Sequence, residues 1–378
     1  MSPEQRNEMD DLGDSFTYVF PAIRGVQASK EYYVTMCPLK LIPKIFIYNE
    51  SELPPKLRAQ RTLNKARIPE ISNYIICNPK EYIFSSLTAS VDGNIKFTPL
   101  HESAKKNKLG LLSIPMEARF IINDGQHRRA AIEAALDKKP ELGLETISVV
   151  IFVDEGLKKS QQMFSDLNHH AVRPTRSLGI LYDNRNLFSR MVMEIIGTVT
   201  IFSELTELER TNISNRSTKL FTLSGIHKAT KELLGKRSKN PSVTEAEKQL
   251  AIEYWNGVLY NMLQWTQLID GKTTSYDIRQ NYVNAHGVIL DALGMAGRAL
   301  IKANPSNWKK KLHGLRKINW SRNNTKVWEG RALVGGRLSK TQSSVVLTSN
   351  YIKLQLGIPL TPEELKMEKR LGKPSNGE

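Results

Sequence analysis

The sequence predicts an α/β (α+β) chain in which a mixed-sheet N-terminal part, to about residue 180, precedes a mostly helical C-terminal part. Three observations carry this expectation. β-rich runs punctuated by Pro and Gly fill the first part, and capped helical patterns dominate beyond Arg176. Between them, Ala118–Leu136 reads as an apolar strand, a glycine turn and an alanine-rich helix in succession.

Taken in order, Phe16–Phe20 and Tyr32–Met36 read as short strands, with Pro21, Gly25 and Pro38 as breaks. The segment from Leu57 to Tyr74 carries Arg58, Arg61, Lys65 and Arg67 and then an Ile71, Tyr74, Ile75 stripe, so a basic helix leads into a packed one, with Pro69 at a helix start or break. Tyr82–Phe84 and Ile95–Phe97 flank the turn-former Asp92-Gly93-Asn94 and predict a hairpin. The strand before Asp124, the helix through Leu136 and the apolar strand Thr146–Val153 predict either a βαβ unit or a mixed sheet with helical cover. A further helix is expected from Leu157 to Leu167.

In the C-terminal part, Leu223–Leu234 has Ser224 near its start and Gly235 just after it. Thr244-Glu245-Ala246-Glu247 is a capping-box pattern, opening a segment with Leu250, Tyr254, Val258 and Met262 on one stripe, and Ile278–Leu300 is another helix candidate. From Lys302 to Lys340 basic residues crowd around a single acid, Glu329, with Trp308, Trp320 and Trp328 among them. Interleaved tryptophans of this kind more often anchor a core than stack on bases. The organisation expected is an acidic disordered leader over 1–14, an α/β domain over 15–180, a mainly helical basic domain over 181–365 and a flexible tail over 366–378. Arg173-Pro174-Thr175-Arg176-Ser177 is the most linker-like stretch.

The 378 residues carry a formal net charge of +16 and a pI near 9.6, which points to nucleic acid, acidic lipid or an acidic partner. Cys37 and Cys77 are the only cysteines, and neither belongs to a CxxC pair or a Cys/His cluster, so a disulfide framework and a structural zinc site are both unexpected. The polar, acidic N-terminus is the opposite of a secretory signal, and the longest apolar run, Ile147–Val153, is far short of the roughly 20 residues that span a bilayer. A cytoplasmic, nucleoid-associated protein is the expectation.

Asp124-Gly125-Gln126-His127-Arg128 sits at the strand-to-helix corner. Gly125 permits the sharp turn, the helix start offers unpaired N–H groups, and His127 and Arg128 add donors, a combination suited to a phosphate or nucleotide. Asp124 can bind a metal, orient His127 or cap the helix, and Arg129 with Glu133 is an ordinary i,i+4 pair. A capped helix with a solvated basic face reads equally well from these letters. Candidate DNA contacts are Arg61 and Lys65, then Lys228, Lys231, Lys236 and Arg237 on and after the Leu223–Leu234 helix, then Lys310, Arg316, Arg322 and Arg331 in the basic segment. Arg322 and Arg331 are favoured because a guanidinium fork suits phosphate or guanine.

Cys37 is the candidate functional thiol, since Lys30, Lys40 and Lys44 are near in sequence and can lower its pKa, whereas Cys77 reads as a buried apolar residue. Asp166, Asn168, His169 and His170 invite a metal reading with the corner, but adjacent histidines diverge and no established ligand spacing is present. No metal and no cofactor are expected.

The Asp-Gly-Gln-His-Arg string is the motif of the DGQHR-domain proteins, and the likeness extends along the chain. Gln60-Arg61-Thr62-Leu63-Asn64-Lys65-Ala66-Arg67-Ile68, Phe164-Ser165-Asp166-Leu167-Asn168, Ser177-Leu178-Gly179-Ile180-Leu181-Tyr182-Asp183, Trp320-Ser321-Arg322 and Trp328-Glu329-Gly330-Arg331 follow in the order found in the DndB family of DNA sulfur modification proteins, which this chain resembles. The resemblance implies a repressor that binds the promoter of the phosphorothioate modification operon, with double-stranded DNA and the modification proteins as partners. At greater distance the corner is similar to the Gly-x-x-Arg-x-x-Ala box of ParB and the Gly-Cys-His-Arg turn of sulfiredoxin, with Gly125, His127, Arg128 and Ala131 at the corresponding places. This implies a ParB/sulfiredoxin-like sheet. Gln126 stands where sulfiredoxin has its cysteine, which excludes that chemistry. Two other readings stay open: a nucleotide-hydrolysing or DNA-nicking enzyme using Asp124, His127 and Arg128, and a non-catalytic partner of the modification machinery. A homodimer fits two-fold operators, although no zipper is visible.

Overall fold

In the computed structural model, which describes residues 16–46, 63–100, 108–153, 159, 162–163, 165–167, 174–214, 216–238 and 240–371, the chain divides into two compact units, Met1–Val172 and Arg173–Glu378. The first is built on a seven-stranded mixed sheet and the second is mostly helical, as the fold class predicted. No helix among the described residues is long and apolar enough to cross a membrane.

Strands β1 (Thr17–Gln27) and β2 (Lys30–Pro38) form an antiparallel hairpin. Its two loop residues, Ala28 and Ser29, both take positive φ, of 50° and 63°, which matches the twist of the flanking strands. Pro21 and Gly25 do not end β1. Pro21 precedes the stretch paired with β2, and its carbonyl accepts from the Thr35 hydroxyl at 2.8 Å, so the missing N–H costs no ladder bond there.

The remaining strands are β3 (Leu87–Val91), β4 (Lys96–Pro99), β5 (Leu109–Pro115), β6 (Phe120–Asp124) and β7 (Thr146–Val153), in the spatial order β4-β5-β1-β2-β7-β3-β6. The expected hairpin across Asp92-Gly93-Asn94 does not form. Tyr82–Phe84 lies outside the sheet, β3 pairs with β7 and β6, and β4 pairs with β5 far along the sheet. The turn is used otherwise: the Asp92 amide donates to the Arg119 carbonyl and its carboxylate accepts from the Arg119 amide. Of the two arrangements expected around Asp124, the mixed sheet is the one adopted, because β3 runs parallel to β7 and antiparallel to β6.

Every residue of β3 is buried, whereas β1 and β7 alternate buried and more exposed positions. The covered face packs under helices α1 (Ile68–Cys77) and α2 (Gln126–Leu136), which contribute Ile75, Ile132 and Ala135 to a core with Phe20, Ile122, Val149 and Ile151. Pro69 sits in the first turn of α1, where its missing N–H is harmless. Ahead of it, Asn64 caps a 3₁₀ turn, Lys65–Arg67, in place of the basic helix expected, and residues 57–62, with Arg61, fall outside the described residues.

The second unit is organised by α3 (Leu187–Thr198), α4 (Leu223–Leu233), α5 (Glu245–Tyr260), α6 (Ser275–Asn281), α7 (Gly287–Ala303), α8 (Gln342–Gln355) and α9 (Pro362–Leu371). The capping box of α5 forms as read, with Thr244 and Glu247 bonding each other's backbone amides. Helix α7 is the buried axis, packed on α4 and α8. Gly294 allows the first of these contacts, since a Cβ there would overlap the Ala229 carbonyl. The single helix expected over Ile278–Leu300 is split. The Val283 amide bonds the Trp320 carbonyl at 2.9 Å and Tyr282 bridges Ser321, which breaks the helix at Tyr282 and leaves 283–286 as a turn closed by the His286 amide on the Val283 carbonyl, despite a helical pattern. Trp308, Trp320 and Trp328 are core anchors, the last two stacked with centroids 5.4 Å apart. Helix α9 carries the chain through Leu371, across the first residues of the tail expected from 366, and Glu368 on it pairs with Arg331 at 2.5 Å.

Candidate functional site

The corner is a closed hydrogen-bonded knot. Gly125 is the N-cap of α2 with φ 109°, a conformation that favours glycine, and a Cβ there would overlap the Leu87 side chain. No side chain caps the helix, so Asp124 does not act as a cap. Its carboxylate accepts from Arg128 Nη2 at 2.6 Å, and the other arm of that guanidinium donates to the Ser85 carbonyl at 2.8 Å and to the Ser85 hydroxyl. His127 Nε2 accepts from the Asn64 amide at 3.0 Å, which fixes that nitrogen unprotonated and ties the corner to the turn before α1. Arg129 binds the Phe46 and Pro43 carbonyls at 2.9 and 3.0 Å and pairs with Glu133. Gln126 is buried and its amide nitrogen lacks a partner among the described residues. The motif's charged letters are thus largely engaged with one another and with neighbouring backbone.

The other sequence-selected cations among the described residues fall into four groups. Lys65, Lys310 and Arg237 are exposed, the last within 3.7 Å of Glu232, and Arg316 is exposed but oriented by Asn261 at 2.8 Å. Lys236 pairs with Glu247 at 2.5 Å, and Arg331 forms a two-pronged, part-buried pair with Glu368 while lying over Tyr351, so both serve the packing of the unit. Lys231 is half-buried. Lys228 and Arg322 line a cavity of about 530 Å³ in the second unit.

That cavity also gathers Arg176, Arg279, His286 and Lys340, four residues that sequence reading does not select. They are scattered over more than 160 positions, and only Arg176 adjoins one of the family-like segments, the one that opens at Ser177. Asp291, fully buried on α7, accepts from Lys228 at 2.6 Å and Lys340 at 3.2 Å through one oxygen. His286 Nε2 lies 2.8 Å from Arg322 Nη2, which only donates, and 3.1 Å from the Arg279 carbonyl, which only accepts, so its tautomer selects one of the two bonds. Burial first, and then the Arg322 charge, pull its pKa down to about 4. His227, one residue before Lys228 on α4, is buried edge-on to Phe188 at 4.9 Å. Burial, Arg176 and Lys231 lower its pKa to about 4.

Cys37 is 1 % exposed and burial pushes its thiol up to about 12, the reverse of the lowering expected from nearby lysines. Its side chain turns into the sheet core, which removes the basis for a reactive thiol. Cys77 is the exposed one. Asn168, His169 and His170 lie outside the described residues, and no cluster that could hold a metal occurs among the residues described.

The fold and these sites define a basic α/β protein with a glycine-turned strand-to-helix corner and a separate cationic cavity among its C-terminal helices. The chain belongs to the DndB family, described as DNA-sulfur modification-associated, whose model matches residues 20–359, nearly the whole length. Membership ties it to DNA sulfur modification. No curated protein and no solved structure matches it.

Proposed function

We propose that this chain is a DNA-binding regulator that represses transcription of the phosphorothioate modification operon by binding its promoter. The observation that carries the reading is family membership in DNA sulfur modification combined with a net charge of +16. A protein of that balance is drawn to a polyanion, and each phosphate it neutralises releases counterions. The placement of the charge supports it further. Lys309, Lys310, Arg316, Lys317, Lys326 and Arg337 are all exposed, so the basic segment presents cations to solvent while its tryptophans hold the core. Lys65 adds an exposed cation in the first unit.

Promoter DNA is the partner in this reading, with the modification proteins as further partners and a homodimer as the form suited to two-fold operators. The test is an electrophoretic shift of the full chain on its operon's promoter and on a scrambled duplex, at two salt concentrations. Preference for the promoter by roughly 10³-fold, with both affinities falling at higher salt, is the expected result. Equal affinity for the two DNAs sinks the repressor reading.

A further inference from the structure

We propose that the cavity among the C-terminal helices binds a small organic molecule carrying two or more phosphate groups, the nucleoside di- and triphosphates being the class it fits. The site is separate from the Asp124–Arg128 corner, and the proposal stands or falls independently of promoter binding.

Charge is the first argument. Arg176, Lys228, Arg279, Arg322 and Lys340 line the cavity, and no acidic side chain does so among the described residues. The carboxylate beneath it, Asp291, is shared by Lys228 and Lys340 through a single oxygen, while its second oxygen has no partner among the described residues. His286 adds no charge at neutral pH, since burial and the Arg322 guanidinium 2.8 Å away hold its pKa near 4. The enclosed surface therefore carries a positive excess that one phosphate does not offset and a di- or triphosphate does.

Backbone geometry is the second. Helices α4 and α7, of 11 and 17 residues, both begin at the cavity wall, with Ser224 and Gly225 lining it from one and His286 and Gly287 from the other. The Ser224 and Gly225 amides of α4 are already taken by the Ser177 and Thr222 hydroxyls, at 3.4 and 3.2 Å, so what the two helix starts direct toward the space that gathers the cations is the positive ends of their dipoles. Lys340 lies across the start of α7, where a Cβ on Gly287 would come within 2.7 Å of its ammonium. A cation resting on a helix N-terminus is unfavourable by itself, and an anion between them reverses the sign.

Shape is the third. The volume of about 530 Å³ lies in the range of small-molecule sites. Taken as a sphere it is roughly 10 Å across, narrower than the ~12 Å major groove of a duplex alone, so a whole double helix does not enter it. Leu220, Phe221 and Leu290 give the cavity an apolar portion beside the cationic one. An inorganic anion leaves that portion uncovered, whereas a nucleoside covers it.

Calorimetric titration of the full chain with ADP and with inorganic pyrophosphate, followed by hydrogen-exchange mass spectrometry with ADP, tests this. The expected result is saturable ADP binding, weaker binding of pyrophosphate, and slowed exchange at residues 223–228 and 287–291. Arg322→Gln is expected to weaken ADP binding at least tenfold. Because the Arg322 guanidinium also bonds the buried His286, its loss can disturb folding, so Arg176→Gln, an exposed lining residue, is the second variant, with a several-fold loss expected and an unchanged circular dichroism spectrum. Failure of ADP to bind, protection confined to residues 126–129, full affinity in folded Arg176→Gln and Arg322→Gln proteins, or pyrophosphate binding as tightly as ADP would each overturn the proposal. So would protection of the cavity by duplex DNA but not by ADP.

Discussion

Arg128 in the first unit meets Asp124 at 2.6 Å and Ser85 on its other arm, while in the second unit five cations line one cavity and two of them, Lys228 and Lys340, share a single buried carboxylate. Both places collect basic side chains at helix starts, yet they differ in electrostatic balance. At the corner, Asp124 and Arg128 pair with each other and His127 with the Asn64 amide, so the ionic letters of the motif most visible in the chain are locally satisfied. The cavity draws residues from positions 176 to 340 and leaves charge in excess. Cations close in sequence are readily neutralised by neighbours that the same turn brings together, whereas cations assembled by tertiary packing can be left for a ligand.

The comparison can be broken first at Gly125. Its φ of 109° and the overlap of any added Cβ with Leu87 make Gly125→Val both strained and overpacked, with an expected loss of about 3–5 kcal/mol. Urea denaturation followed by far-ultraviolet circular dichroism measures it, and an unchanged midpoint would show that the corner is not the structural knot described.

Acid acts on the other unit. His227 and His286 have folded pKa values near 4 against an ordinary value of 6.5, so between those limits the unfolded chain binds more protons than the folded one. Their contribution is fully present above about pH 6.5, declines as pH falls through the window and is exhausted below about 4. The expected loss is on the order of 2–3 kcal/mol for the two together, allowing for partial solvent access. Scanning calorimetry from pH 7 to 4 reads it as a falling midpoint, and a His227→Phe, His286→Gln protein should show a shallower decline. An equal decline in that double variant would assign the effect to carboxylates.

A smaller effect sharpens the contrast. Arg128→Gln breaks a pair whose carboxylate is 46 % exposed, so the expected cost is about 1 kcal/mol. A loss of several kcal/mol in equilibrium unfolding would mean that the corner's charge matters more than its backbone turn. Smallest of all, Lys310→Gln should leave stability unchanged and reduce by about one the slope of log DNA affinity against log salt. An unaltered slope would move the phosphate contacts away from this exposed residue.

The elements with strong local signals are legible in the sequence. The Thr244–Glu247 capping box, the helix after Gly125 and the buried run Thr146–Val153 all form where local chemistry puts them. Where expectation and fold part, the cause is tertiary. The helical pattern over Ile278–Leu300 loses to pairing of Tyr282 and Val283 with the segment around Trp320. Asp92-Gly93-Asn94 is a valid turn, but its flanking strands find other neighbours. Charges nearby in sequence suggest an activated Cys37, whereas its pKa direction follows from burial, as that of His227 chiefly does, and no short window reveals burial. For the cavity, the sequence offers Lys228 and Arg322 as separate DNA contacts, and only the fold shows them sharing one wall with Arg176, Arg279 and Lys340.

The link between β3 and β4 has a geometric consequence. Val91 and Lys96 are five Cα steps apart, a reach of about 17 Å at full extension, yet their strands stand sixth and first in the sheet order. Across a flat sheet that separation is roughly 24 Å. The sheet must therefore roll toward a half-barrel, and the contact of Tyr33 on β2 with Phe97 on β4, centroids 5.5 Å apart across two intervening strands, is the chord of that curve. Lengthening the link would relax a constraint on curvature without removing a single ladder bond.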